Sequence, residues 1–189
     1  MQTRVSIIIP QDRVGVVIGA EGAVKESIER AFAVELHIDG ESGLVEVVPR
    51  PENADASSLL KARDAVSAIA RGFAPEKALE LQDDDIVFDM FDLRQIFGKS
   101  DSDIQRIKGR VIGREGKIRR LIEEMTDAKV SVYGHTIGMI GEFEEVAAAR
   151  EAIQMILDGK QHLSLYKFLR KVKSEAKRRK TLELWRKGP

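Results

Sequence analysis

The sequence contains no cysteine, which excludes disulfides, zinc ribbons and thiol catalysis. Asn53 is its only asparagine, and so few thermolabile residues beside 33% charged ones hint at a thermophilic source. No apolar run approaches the roughly 18 residues a membrane span requires. The hydrophobic stretch within the opening MQTRVSIIIPQDR is too short for a secretory signal, so a cytoplasmic location is expected. No nucleophile beside a base, no carboxylate pair and no P-loop is present, since VIGREGK lacks the four-residue gap and the G-K-[ST] ending. His37, His135 and His162 lack metal-ligand spacing. Asp83, Asp84 and Asp85 read as a linker or strand edge before they read as a cation site. These absences point away from an enzyme, a metal or a cofactor.

What is present is a chain of 189 residues, 43% hydrophobic, long enough for one large domain or two small ones. Its formal net charge is zero, but the average conceals an asymmetry. Residues 160–189 hold eleven basic side chains (Lys160, Lys167, Arg170, Lys171, Lys173, Lys177, Arg178, Arg179, Lys180, Arg186, Lys187) against Glu175 and Glu183. That tail is +9, so residues 1–159 carry −9. The separation suits a polyanion on one side and a protein partner on the other.

The hexapeptide VIGAEG at 17–22 returns as VIGREG at 111–116, an offset of 94. With Gly22 set over Gly116, Val34, Leu36 and Ile38 fall over Ala128, Val130 and Val132. Further on, ARDAVSAIA (62–70) matches AREAIQMIL (149–157) at an offset of 87, so the first copy is seven residues longer. The extra length falls in VPRPENADAS, whose prolines and small polar residues mark a loop. Two matched blocks in one order indicate a duplicated unit.

Each copy reads alike. In the first, RVSIIIP is a β-branched strand and QDRVGVVIG a short helix. Val24, Ile28 and Phe32 line one face of the next helix. VELHI and LVEVV form a hairpin across DGESG, and Leu59, Ala62, Val66, Ile69 and Phe73 line a final helix stopping near Gly72. In the second, IVFDMFDL is a strand and SDSDIQRIKGRVIG a helix capped at Ser100 or Ser102. KIRRLIEEM turns Ile118, Leu121, Ile122 and Met125 inward, KVSVYG and TIGMIG pair, and EFEEVAAAREAIQMIL closes the unit. The expected fold class is α+β, with units of order β-α-α-β-β-α, each a three-stranded antiparallel sheet with helices on one face. Residues 1–74 form the first domain, 75–84 an acidic linker, 85–159 the second domain and 160–189 a basic C-terminal helix.

G-x-x-G between two helices has a direct use. Glycine permits backbone angles closed to other residues, and without a Cβ the chain can approach a ligand closely. The loop also opens a helix, whose free amides and positive dipole end favour a phosphate. An adjacent strand offers an apolar wall for unstacked bases. That is single-stranded RNA recognition of the KH type. The helix after the hairpin gives the eukaryotic, type I order. One departure is that Lys25 and Arg119 stand where KH helices often carry an aliphatic residue, leaving Val24 and Ile118 to take over the packing.

The two loops differ in charge. Ile104–Arg120 holds Arg106, Lys108, Arg110, Arg114, Lys117, Arg119 and Arg120 against Glu115, a net of +6. Pro10–Glu26 holds Arg13 and Lys25 against Asp12, Glu21 and Glu26, a net of −1. The second loop is therefore expected to dominate RNA affinity, with Gly113, Arg114, Glu115, Gly116 and Lys117 at the clamp and the other basic residues around it. Ile112, Ile118, Val130 and Val132 belong to groove or core. Gly19, Ala20, Glu21, Gly22 and Lys25 form an auxiliary RNA site, a protein contact or simply a well-formed turn.

RIKGRVIGREGKIRRLIEEMT, VSVYGHTIGMIG and ILDGKQHLSLYKFL resemble the archaeal branch of the partner-of-NOB family of ribosome-biogenesis KH proteins. The resemblance implies a non-enzymatic factor that binds the 3′ end of small-subunit ribosomal RNA, with Gly113–Gly116 as clamp. It also implies work beside a PIN-domain endonuclease or another assembly or translation factor. An exosome-type or messenger-RNA-regulating KH protein, or a protein scaffold without RNA, are the alternatives. In the tail, Leu165, Leu169, Val172 and Ala176 keep helical spacing. They predict a helix docked on the second unit and running into KRRK, either an RNA-backbone contact or a solvated face.

Overall fold

The alternation of buried and exposed side chains in the strands, and the three-to-four spacing in the helices, are realised in a computed structural model that describes residues 4–50 and 56–187. The first unit comprises β1 (Val5–Ile8), α1 (Gln11–Ile18), α2 (Ala23–Phe32), β2 (Val34–Ile38), β3 (Leu44–Pro49) and α3 (Ala56–Ala70). After α4 (Pro75–Leu79) the second unit follows: β4 (Ile86–Asp92), α5 (Leu93–Phe97), α6 (Asp101–Ile112), α7 (Lys117–Thr126), β5 (Lys129–Tyr133), β6 (Thr136–Glu142) and α8 (Phe143–Leu157). The chain continues as α9 (His162–Lys187). The sheets are antiparallel, ordered β1-β3-β2 and β4-β6-β5. Most of the seven-residue difference between the units falls at 51–55, outside the described residues. No described helix is long and apolar enough to cross a membrane.

The likeness of the units extends to strained and polar detail. Glu21 and Ala33 have positive φ, and so do Glu115 and Asp127, each 94 positions on. Glu29 Oε1 accepts the Leu36 amide at 2.8 Å, as Glu123 Oε1 accepts the Val130 amide at 2.9 Å. These bonds tie the second helix of each unit to its edge strand. Each closing helix is also held by an arginine from the helix before the glycine loop. Arg13 donates to the carbonyls of Ile69 and Phe73, and Arg110 to those of Ile156 and Lys160. Cations there satisfy carbonyls that the helix end leaves open.

Within residues 75–84, expected as an acidic linker, Pro75–Leu79 is helical and Ala78 and Leu81 are buried in the first core. The strand expected over IVFDMFDL ends one residue early, at Asp92. Asp92 accepts the Arg94 amide and starts the short helix α5 before the α6 cap, which falls on Ser100. Asp84, read as linker, pairs with Lys61.

The second sheet is covered on both faces. Phe91, Ile137 and Met139 face its own helices, whereas Ile140, Ile86 and Phe88 join the first unit's core. Phe73 meets Phe88 edge-on with ring centroids 6.2 Å apart, and Gly138 leaves room for it, since a Cβ there would lie 2.8 Å from the Phe73 ring. On the first sheet the outward positions of the edge strand β2, Glu35 and His37, are exposed, and Glu46 of the central strand stands opposite His37. The first unit's core therefore extends across the junction onto the second sheet, while the second unit keeps a core of its own under its helices.

Helix α9 docks on α7 and α8 through buried Leu165 and Leu169, with Val172 and Ala176 half-buried. Its basic residues are partly spent on the second unit. Lys173 and Lys180 reach Asp127 at 3.0 and 3.6 Å, and Arg179 pairs with Glu144. Partial burial pushes the Asp127 carboxyl up, but the Lys173 hydrogen bond and the two lysine charges outweigh it and hold it below its ordinary value. A carboxylate lowered on folding stabilises above its unfolded value, and that contribution is lost as pH falls through the folded one. Protection of the amides in residues 170–180, taken relative to the intrinsic exchange rate at each pH, should therefore fall below about pH 4. Asp127→Asn, whose side chain tolerates the positive φ, should remove that dependence. An unchanged acid profile in the variant would refute the assignment.

Candidate nucleic-acid interface

The second glycine loop is built by local rules. α6 ends where Gly113 takes φ +71, a left-handed angle, and Glu115 and Gly116 follow at +54 and +75 before α7 begins. Gly113 is required twice, because a Cβ on it would lie 2.5 Å from Ile118 Cγ1 and 2.9 Å from the Ile118 amide nitrogen. Gly116 is required for its angle alone. A Cβ there meets only Arg120 Nε, at 3.9 Å, so the space in front of the loop is open. Ile118 is buried against Gly113, and Val24 holds the same place against Gly19, which is the packing expected of them.

The structure sorts the seven basic residues. Arg110 is turned to the end of α8, and Arg119 donates to the Val130 carbonyl at 3.4 Å. Arg106 pairs with Asp103 at 3.0 Å, and Arg120 donates to the Glu115 carbonyl, bracing the loop from behind. Lys108, Arg114 and Lys117 have no partner among the described residues, and the last two are exposed. Arg114 and Lys117 are thus the uncommitted cations that line the groove at the loop, fewer than the sequence charge suggests, while Lys108 lies outside that lining. Of the apolar candidates, Ile118 and Val130 are core, while Val132 is half-buried against it. Ile112 is half-buried outside the core, and of the four it is Ile118, though mostly buried, that also lines the groove beside the loop.

An open groove of about 650 Å³ lies beside the loop, with Arg106, Gly109, Gly113, Arg114 and Lys117 on one wall. His162 and Tyr166, from the first turns of α9, form the other. Sequence reasoning missed these two. Their i, i+4 spacing was visible, but which side of the second unit α9 crosses was not.

The first loop has nearly the same backbone, with φ +75, +51 and +84 at Gly19, Glu21 and Gly22. Its chemistry differs. Ala20 and Glu21 stand at the tip, and Lys25 is 3.8 Å from Glu29. No group of three or more acidic, histidine or cysteine side chains able to hold a metal occurs among the described residues.

Comparison with known proteins agrees with this geometry. Residues 87–174 match the family model described as a eukaryotic type KH domain, KH type I, the second KH domain of PNO1. A KH domain-containing protein of Methanocaldococcus jannaschii is 48% identical over 179 residues, spanning 95% of this chain and 78% of the relative. The pre-rRNA-processing protein PNO1 of Coccidioides immitis is 25% identical over 90% of this chain and 68% of its own. A chain in the crystal structure of an a/eIF2alpha–aDim2p–rRNA complex from Pyrococcus horikoshii superposes with a TM-score of 0.84 at 36% identity, covering 93% of this chain and 96% of that one. A type I KH unit with an open, cation-bearing glycine loop, in a chain aligned almost end to end with these proteins, belongs to the PNO1-like family of KH-domain proteins.

Proposed function

We propose that this protein is a ribosome-biogenesis factor that binds single-stranded RNA, the 3′ end of small-subunit ribosomal RNA, through the second glycine loop. The observation that carries the reading is the loop itself: a groove beside Gly113, with Arg114 and Lys117 exposed and unpaired along it. Glycine and helix-start amides approach one phosphate while the cations take its neighbours. Ile118 and Tyr166, which line the groove, supply an apolar wall for bases. The first unit is a second type I KH domain whose loop, alike in backbone but acidic at its tip, serves as an auxiliary site. The protein acts by binding and not by catalysis, beside the PIN-domain endonuclease that matures the same RNA end. Relatives named for pre-rRNA processing and a neighbour from an rRNA complex support this reading.

Titration of a labelled RNA matching the small-subunit 3′ end, against a scrambled strand of equal length, tests it. The matched strand should bind more tightly. With about two phosphate contacts, log K should fall with log[salt] at a slope of about −1.4. Equal affinity for both strands would remove the ribosomal assignment, and no binding to either would leave a protein scaffold.

A further inference from the structure

A second basic site lies at the junction of the units. A pocket of about 490 Å³ is lined there by Pro10 and Asp12 of the first unit, by Arg71 just past the end of α3, and by Arg94, Tyr133 and His135 of the second. Arg71 is the informative residue. Its Nε is buried and has no hydrogen-bond partner among the described residues. A buried guanidinium N–H left unpaired is rare and calls for a ligand or ordered solvent. The backbone at Arg71 is held in place, since Ser131 Oγ donates to its carbonyl at 2.8 Å. Gly72 beside it is also pressed against Ser131 and Tyr133.

The charges around the pocket favour an anion. Neither Arg71 nor Arg94 is ion-paired among the described residues. The one acid in the lining, Asp12, is occupied by the Tyr133 hydroxyl, which donates to it. Arg13 adds a cation over the Tyr133 ring, 5.5 Å from its centroid. Asp92 lies outside the lining, within 3.8 Å of His135. The pocket sits where the turn after β5, the edge strand beside the second loop, meets the start of α1, the helix leading into the first loop.

We propose that this inter-unit pocket binds a phosphate group of the RNA strand as it passes from the second unit toward the first. The proposal rests on the RNA-binding reading of the second loop, but its chemistry can be tested apart from it. Two planar guanidinium groups suit a phosphate through paired, charge-assisted hydrogen bonds. The second unit has no counterpart, because the position matching Arg71 is Asp158.

The test begins in the Arg114→Asp/Glu115→Asp background, which takes the loop out of play. Inorganic phosphate should raise the melting temperature relative to chloride at equal ionic strength, and Arg94→Gln or Arg71→Gln should abolish the rise. Arg94 is exposed, so its substitution leaves the fold intact. No rise, or a rise that survives both substitutions, overturns the site. With the loop intact, Arg94→Gln should weaken a strand of about twelve nucleotides roughly tenfold, as for one lost charge-assisted bond. A tetranucleotide confined to the loop should be unaffected. If the phosphate response is lost but long-strand affinity is unchanged, the ligand is free phosphate and the RNA half of the proposal fails. If no strand binds wild type at all, the loop reading fails while the phosphate arm still decides the pocket.

Discussion

Arg114→Asp/Glu115→Asp is expected to lower RNA affinity by about two orders of magnitude at moderate salt, with the thermal melt unchanged. Arg114 is exposed and unpartnered, so nothing in the fold depends on it. Replacing it by aspartate removes one of the two free cations lining the groove and sets a negative charge against the strand. Aspartate at 115 shortens the side chain only, and it tolerates the +54° φ well. Arg120 keeps its bond, which goes to the carbonyl of that residue. The matched change in the first loop, Ala20→Asp/Glu21→Asp, should cost less than threefold, because that tip is already acidic. Undiminished binding in the second-loop variant would transfer the interaction to the first loop or to the exposed Lys177 and Arg178 of α9. A lowered melting temperature would make the affinity loss uninformative, and gel filtration with circular dichroism would detect it.

Phe73→Ala is expected to be the most destabilising single change, by about 3–5 kcal/mol. Phe73 is buried, sits at the end of the first unit's core and lies edge-on to Phe88 of the second. Truncation leaves a cavity at the centre of the apolar contact between the two units. Gly138 offers no side chain to collapse into it. For a chain of this length the melting temperature should fall by roughly 10 °C, and one cooperative transition should become two as the units uncouple. Calorimetry reads both effects. A fall of under about 3 °C in a single transition would mean that the junction contributes little.

The duplicated order of strands and helices was legible because it rests on local signals: alternation, helical spacing, caps and glycines at left-handed angles. The strain at Glu21 and Glu115 follows from the same hexapeptide frame, and so does the loop geometry. The buried stripe of α9, Leu165 and Leu169, was also readable, since amphipathic spacing survives whatever the helix docks on. The seven basic residues of the second loop were countable, and their excess over the first loop is a fact of composition.

What each of those cations does could not be read, because partners lie far along the chain. Arg110 finds carbonyls 46 and 50 residues away, and Lys173 finds Asp127 46 residues back. The covering of the second sheet by the first unit is of the same kind. Ile137 and Ile140 sit in one apolar strand but serve different cores, and only the packed partner shows which face each belongs to. Sequence alone therefore determined the units, the loops and the sign of the charge around them. Tertiary structure decided which charges remain free, which aromatic residues border the groove and where the two units meet, because those depend on contacts between segments that no local pattern relates.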